Sequence, residues 1–340
     1  MKRLSVIVPG YNTPKAWWVR CVASVDRALT SEDEIVVVDD GSTEKVEREW
    51  FDSKIVRIVR HEVNRGLPCG RNSGLEVATG AFVTFVDSDD AVRAQTYEKC
   101  LARLSETGAD IAAYGVQTVY PADGYAIHDE PEDKFYGALT PADVKYLVRR
   151  RLFYYSCNKV FRRSFIDAHQ MRFDPEGVPC EDAIFNVGCV VNRAKWVTVG
   201  YLGYRYYRYD GSLLSTYKPT LVAGMRKCSA AWKAYKDATP GAYEALGRYD
   251  ERSEATITQE QWTNIWRRKS PYTFKGRWQW LKEHREILGV GKAGLALAFV
   301  KKALVMWARA HCYIAPIRRW KQKRFVMRIG GKPVKWKAEG

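Results

Sequence analysis

The eight cysteines include no CxxC pair, which removes a zinc ribbon or a redox dithiol. Several sit in apolar runs and read as small core residues, and a reducing cytosol is the expected compartment. No uninterrupted apolar stretch reaches the ~18 residues of a membrane-crossing helix. The nearest run, 293–317, is broken by Lys301, Lys302, Arg309 and His311. The opening MKRLSVIVPGYN has too short an apolar run for a signal segment and reads as a first strand. No GxxxxGK(S/T) is present, so a P-loop in its usual form is excluded. No GxGxxG follows the first strand either. Pro9, Gly10, Tyr11 and Asn12 stand there, and a Rossmann dinucleotide reader is not expected. His128 and His169 have no evident partners, and no role is assigned to them.

The chain has 340 residues and a formal net charge of +16, which favours acidic partners. The excess is concentrated late, with Lys and Arg dense over 318–337 and near balance over the first 140 residues. Short apolar, β-branched runs at 4–9, 35–38, 55–59, 81–86 and 111–114 predict strands. Segments of helical spacing at 17–29, 71–78 and 96–106 lie between them. Strands alternating with helices predict an α/β fold with a mainly parallel sheet flanked by helices. The stretch 120–137 reads as a loop or irregular hairpin. A strand running into a loop is expected over 201–215. From 221 onward the chain reads as mostly helical and basic. A boundary near 215 separates a catalytic domain, 1–215, from a C-terminal region, 216–340.

Sheets of this kind bind ligands at the carboxyl ends of their strands. Polar clusters fall at three such ends: Gly10-Tyr11-Asn12, Asp39-Asp40-Gly41-Ser42 and Asp87-Ser88-Asp89-Asp90. The last cluster has three readings. Asp and Ser cap helix N-termini. A dehalogenase-type aspartyl nucleophile fits less well, because Ala91 stands where Thr or Val is wanted. Hard Mg²⁺ or Mn²⁺ prefers carboxylate oxygen shared with substrate phosphates, and a DxD suits that use. The glycines of NRGLPCGRNSGLEVATG permit tight backbone, and Arg71 within it suits a phosphate. Glu181-Asp182 reads on its own as a helix N-cap, and the Arg205–Arg208 stretch as a solvated edge strand.

Taken in order, VIVPGYN, VVVDDGS, NRGLPCGRNSGLEVATGAFVTFVDSDD and CEDAIF resemble family 2 of the inverting, nucleotide-sugar-dependent glycosyltransferases, which have the Rossmann-like GT-A fold. The likeness is close over 3–92 and looser to 215. SCNKVFRRSFI and YRYYRYDGSLL are similar to segments of bacterial enzymes that build surface polysaccharides and teichoic acids. The resemblance implies that Pro9, Tyr11 and Asp40 line a uridine pocket, with Tyr11 stacking on the base and Asp40 accepting its N–H. It implies that Arg71 contacts the donor, that Asp87 reaches ribose or pyrophosphate, and that Asp89 ligates Mg²⁺ or Mn²⁺. Asp182, beside Glu181 in the substrate site, is the implied catalytic base, and Arg208 closes on the diphosphate. The chemistry agrees, since inverting transfer needs one carboxylate to take a proton and a stabilised departing diphosphate.

The expected donor is a nucleotide sugar, with UDP as its nucleotide. The acceptor is a saccharide or lipid-linked saccharide of the cell surface. Trp and Leu mixed with Lys and Arg in the last third suit an anionic membrane surface, which would hold the chain on the inner face of the cell membrane. A helical subdomain packed on the core is the plainer reading. No nucleic-acid module is recognisable. Two other functions remain open from sequence. One is nucleotidyl transfer, which wants a Gly-rich basic loop after the first strand. The other is a non-catalytic membrane- or polysaccharide-binding scaffold, against which the acids at 40, 87, 89 and 182 speak.

Overall fold

The computed structural model describes residues 2–123, 125–176, 179–209, 216–247, 253–267, 269–291, 294, 296–300, 302–303 and 332–335. Its first half alternates β1 (Leu4–Gly10), α1 (Lys15–Asp26), β2 (Glu34–Asp39), β3 (Val56–Arg60), α2 (Leu67–Val77), β4 (Phe82–Phe85), β5 (Ala91–Val92), α3 (Thr96–Thr107) and β6 (Ile111–Tyr120). β3, β2, β1 and β4 lie side by side, all parallel. β2 is buried along its whole length, as a strand covered on both faces must be. Alternate side chains serve alternate layers. Ile7, Val36, Val38, Val83 and Phe85 join one core. Val6, Val8, Ile35 and Val37 join the other, under α1 and α3. In α1 the buried Trp18, Cys21, Val22 and Val25 recur at helical spacing. α3 stops at Gly108, which takes the left-handed conformation that ends many helices.

The chain continues through β7 (Tyr125–Asp129), β8 (Lys134–Ala138), α4 (Pro141–Arg149), β9 (Lys159–Arg162), α5 (Arg163–Ala168), α6 (Glu181–Val191), β10 (Lys195–Tyr207), α7 (Leu221–Ala238), α8 (Ala242–Leu246), α9 (Glu254–Asn264), α10 (Phe274–Glu283) and β11 (Lys332–Lys335). β9 runs antiparallel between β4 and β6 and joins the two halves of the sheet. β6 pairs with β10 in parallel and with β7 antiparallel. The sheet is therefore mixed, and its parallel strands carry the site.

Of the two readings of 120–137 the hairpin holds: β7 folds back on β6, and most of β8 pairs with β10. Pro131, Asp133 and short strand length hide that pairing from a periodicity argument. β10 begins at Lys195 rather than at 201, because Lys195 and Thr198 interrupt its apolar pattern.

α4 opens with a reciprocal capping box between Thr140 and Asp143. It packs with α6, α7 and α8 on one sheet face, where Phe153 stacks on Trp196 at 5.9 Å and meets Trp232 at 5.4 Å. α9 and α10 enclose a separate aromatic cluster of Trp262, Trp266, Trp280 and Phe299. Among the described residues no helix is long and apolar enough to cross a membrane. Asp210, Ser212 and the basic tail over 318–331 and 336–337 lie outside the described residues.

Candidate active site

The site begins with a close approach of α2 to β1. A Cβ on Gly74 would lie 2.3 Å from Ile7 Cγ2, so only glycine lets this helix lie so near the strand. At the end of β1, a Cβ on Gly10 would lie 2.4 Å from Ser88 Oγ, so glycine admits the DSD segment there. These two contacts bring Arg71, on α2, beside Asp87.

Arg71 is 1% exposed and holds three carboxylates. Its Nη2 donates to Asp87 Oδ1 at 3.0 Å. Its Nη1 donates to Asp182 Oδ1 at 2.6 Å and lies 3.5 Å from Glu181 Oε1. Glu181 and Asp182 open α6, where the helix N-terminus favours negative charge. One cation among three acids, of which Glu181 is buried and Asp87 and Asp182 are partly exposed, leaves an excess of negative charge. Burial raises the Asp182 and Glu181 carboxyls, and each is raised further by a neighbouring acid, Asp87 for Asp182 and Asp182 for Glu181, while Arg71 opposes the rise. The arrangement unites the two acidic segments, 87–90 and 181–182, at one edge of the sheet.

The DSD segment is fastened from behind. The Asp87 N–H donates to the Tyr204 hydroxyl at 3.1 Å. That hydroxyl donates to Asp90 Oδ2 at 2.7 Å, and the Tyr207 N–H donates to Asp90 Oδ1 at 2.8 Å. Asp90 is thus a buried anchor to β10 and not a helix cap; Gln95 occupies the cap of α3. Burial and then Asp87 push the Asp89 carboxyl up to about 6. Arg20 reaches the Asp89 main-chain carbonyl and leaves the carboxylate free of its fork. The Arg20 guanidinium also lies over Tyr207 at 4.2 Å and donates to the Tyr209 hydroxyl at 2.6 Å. Among the described residues no three His, Cys, Asp or Glu side chains converge as a metal cage. Asp87 and Asp89 are two carboxylates, which suits an Mg²⁺ or Mn²⁺ ion completed by substrate phosphates.

The acids after β2 are differently employed. Asp40 is 3% exposed, and its carboxylate accepts from the Arg65 N–H at 2.9 Å, the Gly66 N–H at 2.8 Å and faces His61 Nδ1 at 2.6 Å. The open acceptor expected at Asp40 is therefore absent; the carboxylate holds the 61–66 loop. Asp39 holds Arg60 and the Ser42 N–H in the same way. Pro9 is buried inside β1, in a position where a Cβ on Gly70 would lie 3.2 Å from its own Cβ. Tyr11 is 47% exposed, as a residue available for stacking should be. Arg208 lies over Tyr206 at 5.4 Å, and its buried Nε has no acceptor among the described residues.

Several participants carried little signal. Lys159 is fully buried, donating to the carbonyls of Leu152 at 2.8 Å and Tyr155, and to Asn158 Oδ1 at 2.9 Å. Burial pulls its ammonium down to about 7, while three acceptors match its three hydrogens. It braces the 152–158 loop that faces α6. His61 follows β3, so the strand-end rule points to it. His128 faces Gln117 Nε2 at 3.0 Å and stands outside the acid cluster. Nothing in the pattern of α1 singles out Arg20.

Comparison with known proteins adds the following. Residues 5–169 match the family described as Glycosyl transferase family 2. The chain is 30% identical over 220 residues to the uncharacterized glycosyltransferase YibD of Escherichia coli, covering 62% of this chain and 63% of YibD. It is 31% identical over 198 residues to the poly(ribitol-phosphate) beta-N-acetylglucosaminyltransferase TarS of Staphylococcus aureus, covering 56% of this chain and 33% of TarS. The chain thus spans less than two thirds of the length of these relatives. In structure it is similar to S. aureus TarS 1–349 in complex with UDP-GlcNAc, with a TM-score of 0.59, 20% identity and coverage of 84% of this chain and 80% of that one. That likeness gives the GT-A fold.

Proposed function

We propose, from the premise that residues 5–169 are a glycosyl transferase family 2 domain, that this chain is an inverting glycosyltransferase using a UDP-sugar. The observation that carries the reading is the buried Arg71, which gathers Asp87, Glu181 and Asp182 at one strand edge. Elsewhere among the described residues a cation shared between acids holds two, as Arg3 holds Asp33 and Glu98 and Lys227 holds Asp174 and Glu176. An excess of acid around one arginine suits a site that handles a proton and a leaving diphosphate.

In this reading Tyr11 stacks on the uracil, and Asp40 acts through the loop it holds. Asp87 takes the ribose or pyrophosphate end, and Arg208 meets the diphosphate. Asp89, with Asp87 behind it, would hold Mg²⁺ or Mn²⁺, which supplies charge neutralisation for the departing diphosphate. The acceptor hydroxyl attacks the anomeric carbon from the face opposite the leaving group. Its proton passes to Asp182 as the new C–O bond forms and the bond to the diphosphate breaks. A raised carboxyl suits a base working near neutral pH. Arg71 keeps Asp182 aimed and charged.

YibD is named as a glycosyltransferase, and TarS by its name as a poly(ribitol-phosphate) beta-N-acetylglucosaminyltransferase. We place the acceptor in the same broad class, a saccharide or lipid-linked saccharide of the cell surface. The basic C-terminal region would then hold the chain against anionic membrane.

The test is UDP release from UDP-GlcNAc, UDP-glucose and UDP-galactose, with and without Mn²⁺, in wild type and in Asp182→Asn. Loss of about 10²-fold or more in turnover with UDP affinity retained is expected for a general base. Near wild-type turnover in Asp182→Asn sinks the assignment.

A further inference from the structure

Beside the acids stands a pair of tyrosines that none of the roles above employs. Tyr155 lies in the 152–158 loop and Tyr206 on β10, with ring centroids 6.4 Å apart and planes tilted by 42°. Both are half-buried and pack against the core beneath. Each is tied to one of the acidic segments. Tyr206 is two residues beyond Tyr204, so it projects from the same face of β10, about 7 Å further along. Tyr204 is the residue whose hydroxyl takes the Asp87 N–H. On the other side, Asn186 of α6 donates to the carbonyls of Phe153 at 2.9 Å and Tyr154 at 3.2 Å. Asn186 is one helical turn after Asp182, so the loop that carries Tyr155 is pinned to the start of α6. The tyrosine pair thus sits on two elements that are fastened to the Asp87 segment and to the start of α6.

The pair is held firmly. Lys159 donates to the Tyr155 carbonyl, and Arg151 Nη2 comes within 3.5 Å of the Tyr155 hydroxyl. Arg151 has a left-handed φ of 59° and lies 3.7 Å from Asp129. Keeping a β-carbon-bearing residue in that conformation costs energy that the surrounding contacts must offset. The Arg208 guanidinium lies over the Tyr206 ring at 5.4 Å from its centroid.

We infer that Tyr155 and Tyr206 are the seat of the acceptor, a platform for the apolar face of a pyranose ring whose hydroxyl points to Asp182. The inference rests on the transferase reading above. A sugar ring presents C–H bonds on one face and hydroxyls around its edge. Partly exposed aromatic rings bind such a face through dispersion and their electron-rich surface, and a few polar groups fix its orientation. Tyr hydroxyls and Arg151 supply those groups here. The donor side has its own stacking residue in Tyr11, across the DSD segment, so the two aromatic sites divide donor from acceptor.

The test uses UDP-GlcNAc, UDP-glucose and UDP-galactose as donors, with p-nitrophenyl β-D-glucopyranoside, β-D-galactopyranoside and N-acetyl-β-D-glucosaminide as acceptors. UDP release is measured with and without acceptor in wild type, Tyr155→Ala, Tyr206→Ala and the two Phe variants. We expect at least one pyranoside to stimulate the wild type. Each Ala change should raise the acceptor KM about tenfold, while water hydrolysis and UDP affinity stay within about twofold. The Phe variants keep the ring and should stay near wild type, and retained UDP affinity reports an intact fold. Ala variants with wild-type acceptor KM would overturn the inference. So would a wild type that hydrolyses a UDP-sugar yet responds to none of the three pyranosides. A wild type that neither binds UDP nor hydrolyses any donor removes the transferase reading, and this inference with it.

Discussion

Replacing Asp89 by Asn should stabilise the metal-free chain and weaken its capture of UDP with Mn²⁺. The physical basis is the rise of this carboxyl from 3.8 to about 6, caused first by burial and then by Asp87. A folded-state value above the unfolded one penalises the fold as pH rises. The penalty is absent well below pH 4, grows between pH 4 and 6, and is complete above pH 6. At pH 7.5 it amounts to about 3 kcal/mol, or about 2 kcal/mol once partial solvent contact is counted. Asn keeps the shape and removes the charge, so most of this should reappear as stability. At pH 5 the gain should fall to about half, because the folded carboxyl is already mostly protonated. Urea denaturation of the two proteins at pH 7.5 and pH 5, without metal, measures both figures. Titration calorimetry with UDP and Mn²⁺ at pH 7.5 should show weaker binding by Asp89→Asn. The reasoning fails if the variant is no more stable than wild type at pH 7.5, or if the stability gap is the same at both pH values. Unchanged calorimetry would remove the metal role alone.

Three further outcomes are expected. Arg71→Met leaves one buried and two partly exposed acids without their buried cation and should cost about 2–3 kcal/mol in urea denaturation; a loss under about 1 kcal/mol would show that the acids do not depend on it. The pH profile of kcat/KM should rise to a plateau with an inflection above the ordinary carboxylate range near 4, because burial and Asp87 raise Asp182 and the base must be ionised. Full activity at pH 4 would contradict that. The chain should sediment with phosphatidylglycerol vesicles and be released by about 0.5 M salt; equal binding to phosphatidylcholine vesicles would refute charge-led attachment.

What was legible in the sequence follows physical lines. Buried parallel strands read as unbroken apolar runs, so β1, β2 and β4 and the acids beyond them could be located without coordinates. β7 and β8 are short, with Asp, Pro and Gly in and around them, and the stretch read only as a loop or irregular hairpin. The acids at 87 and 182 were each visible as candidates. Their shared arginine was not, because Arg71 and Asp182 are 111 residues apart and no local pattern encodes the pairing. Asp40 shows the opposite error. A strand-end acid looks ready for a ligand until the loop that returns over it supplies two N–H groups and an imidazole. Arg20 had no legible cue, since its partners come from two strand ends far along the chain.

The burial of Arg71 has a consequence for how the protein responds to its medium. Charges exposed to solvent lose most of their reach at physiological ionic strength, beyond about 8 Å. Arg71 and its three acids lie within a few ångströms of one another, and the guanidinium is shut away from counterions. Added salt should therefore weaken exposed ion pairs while leaving the acid cluster intact.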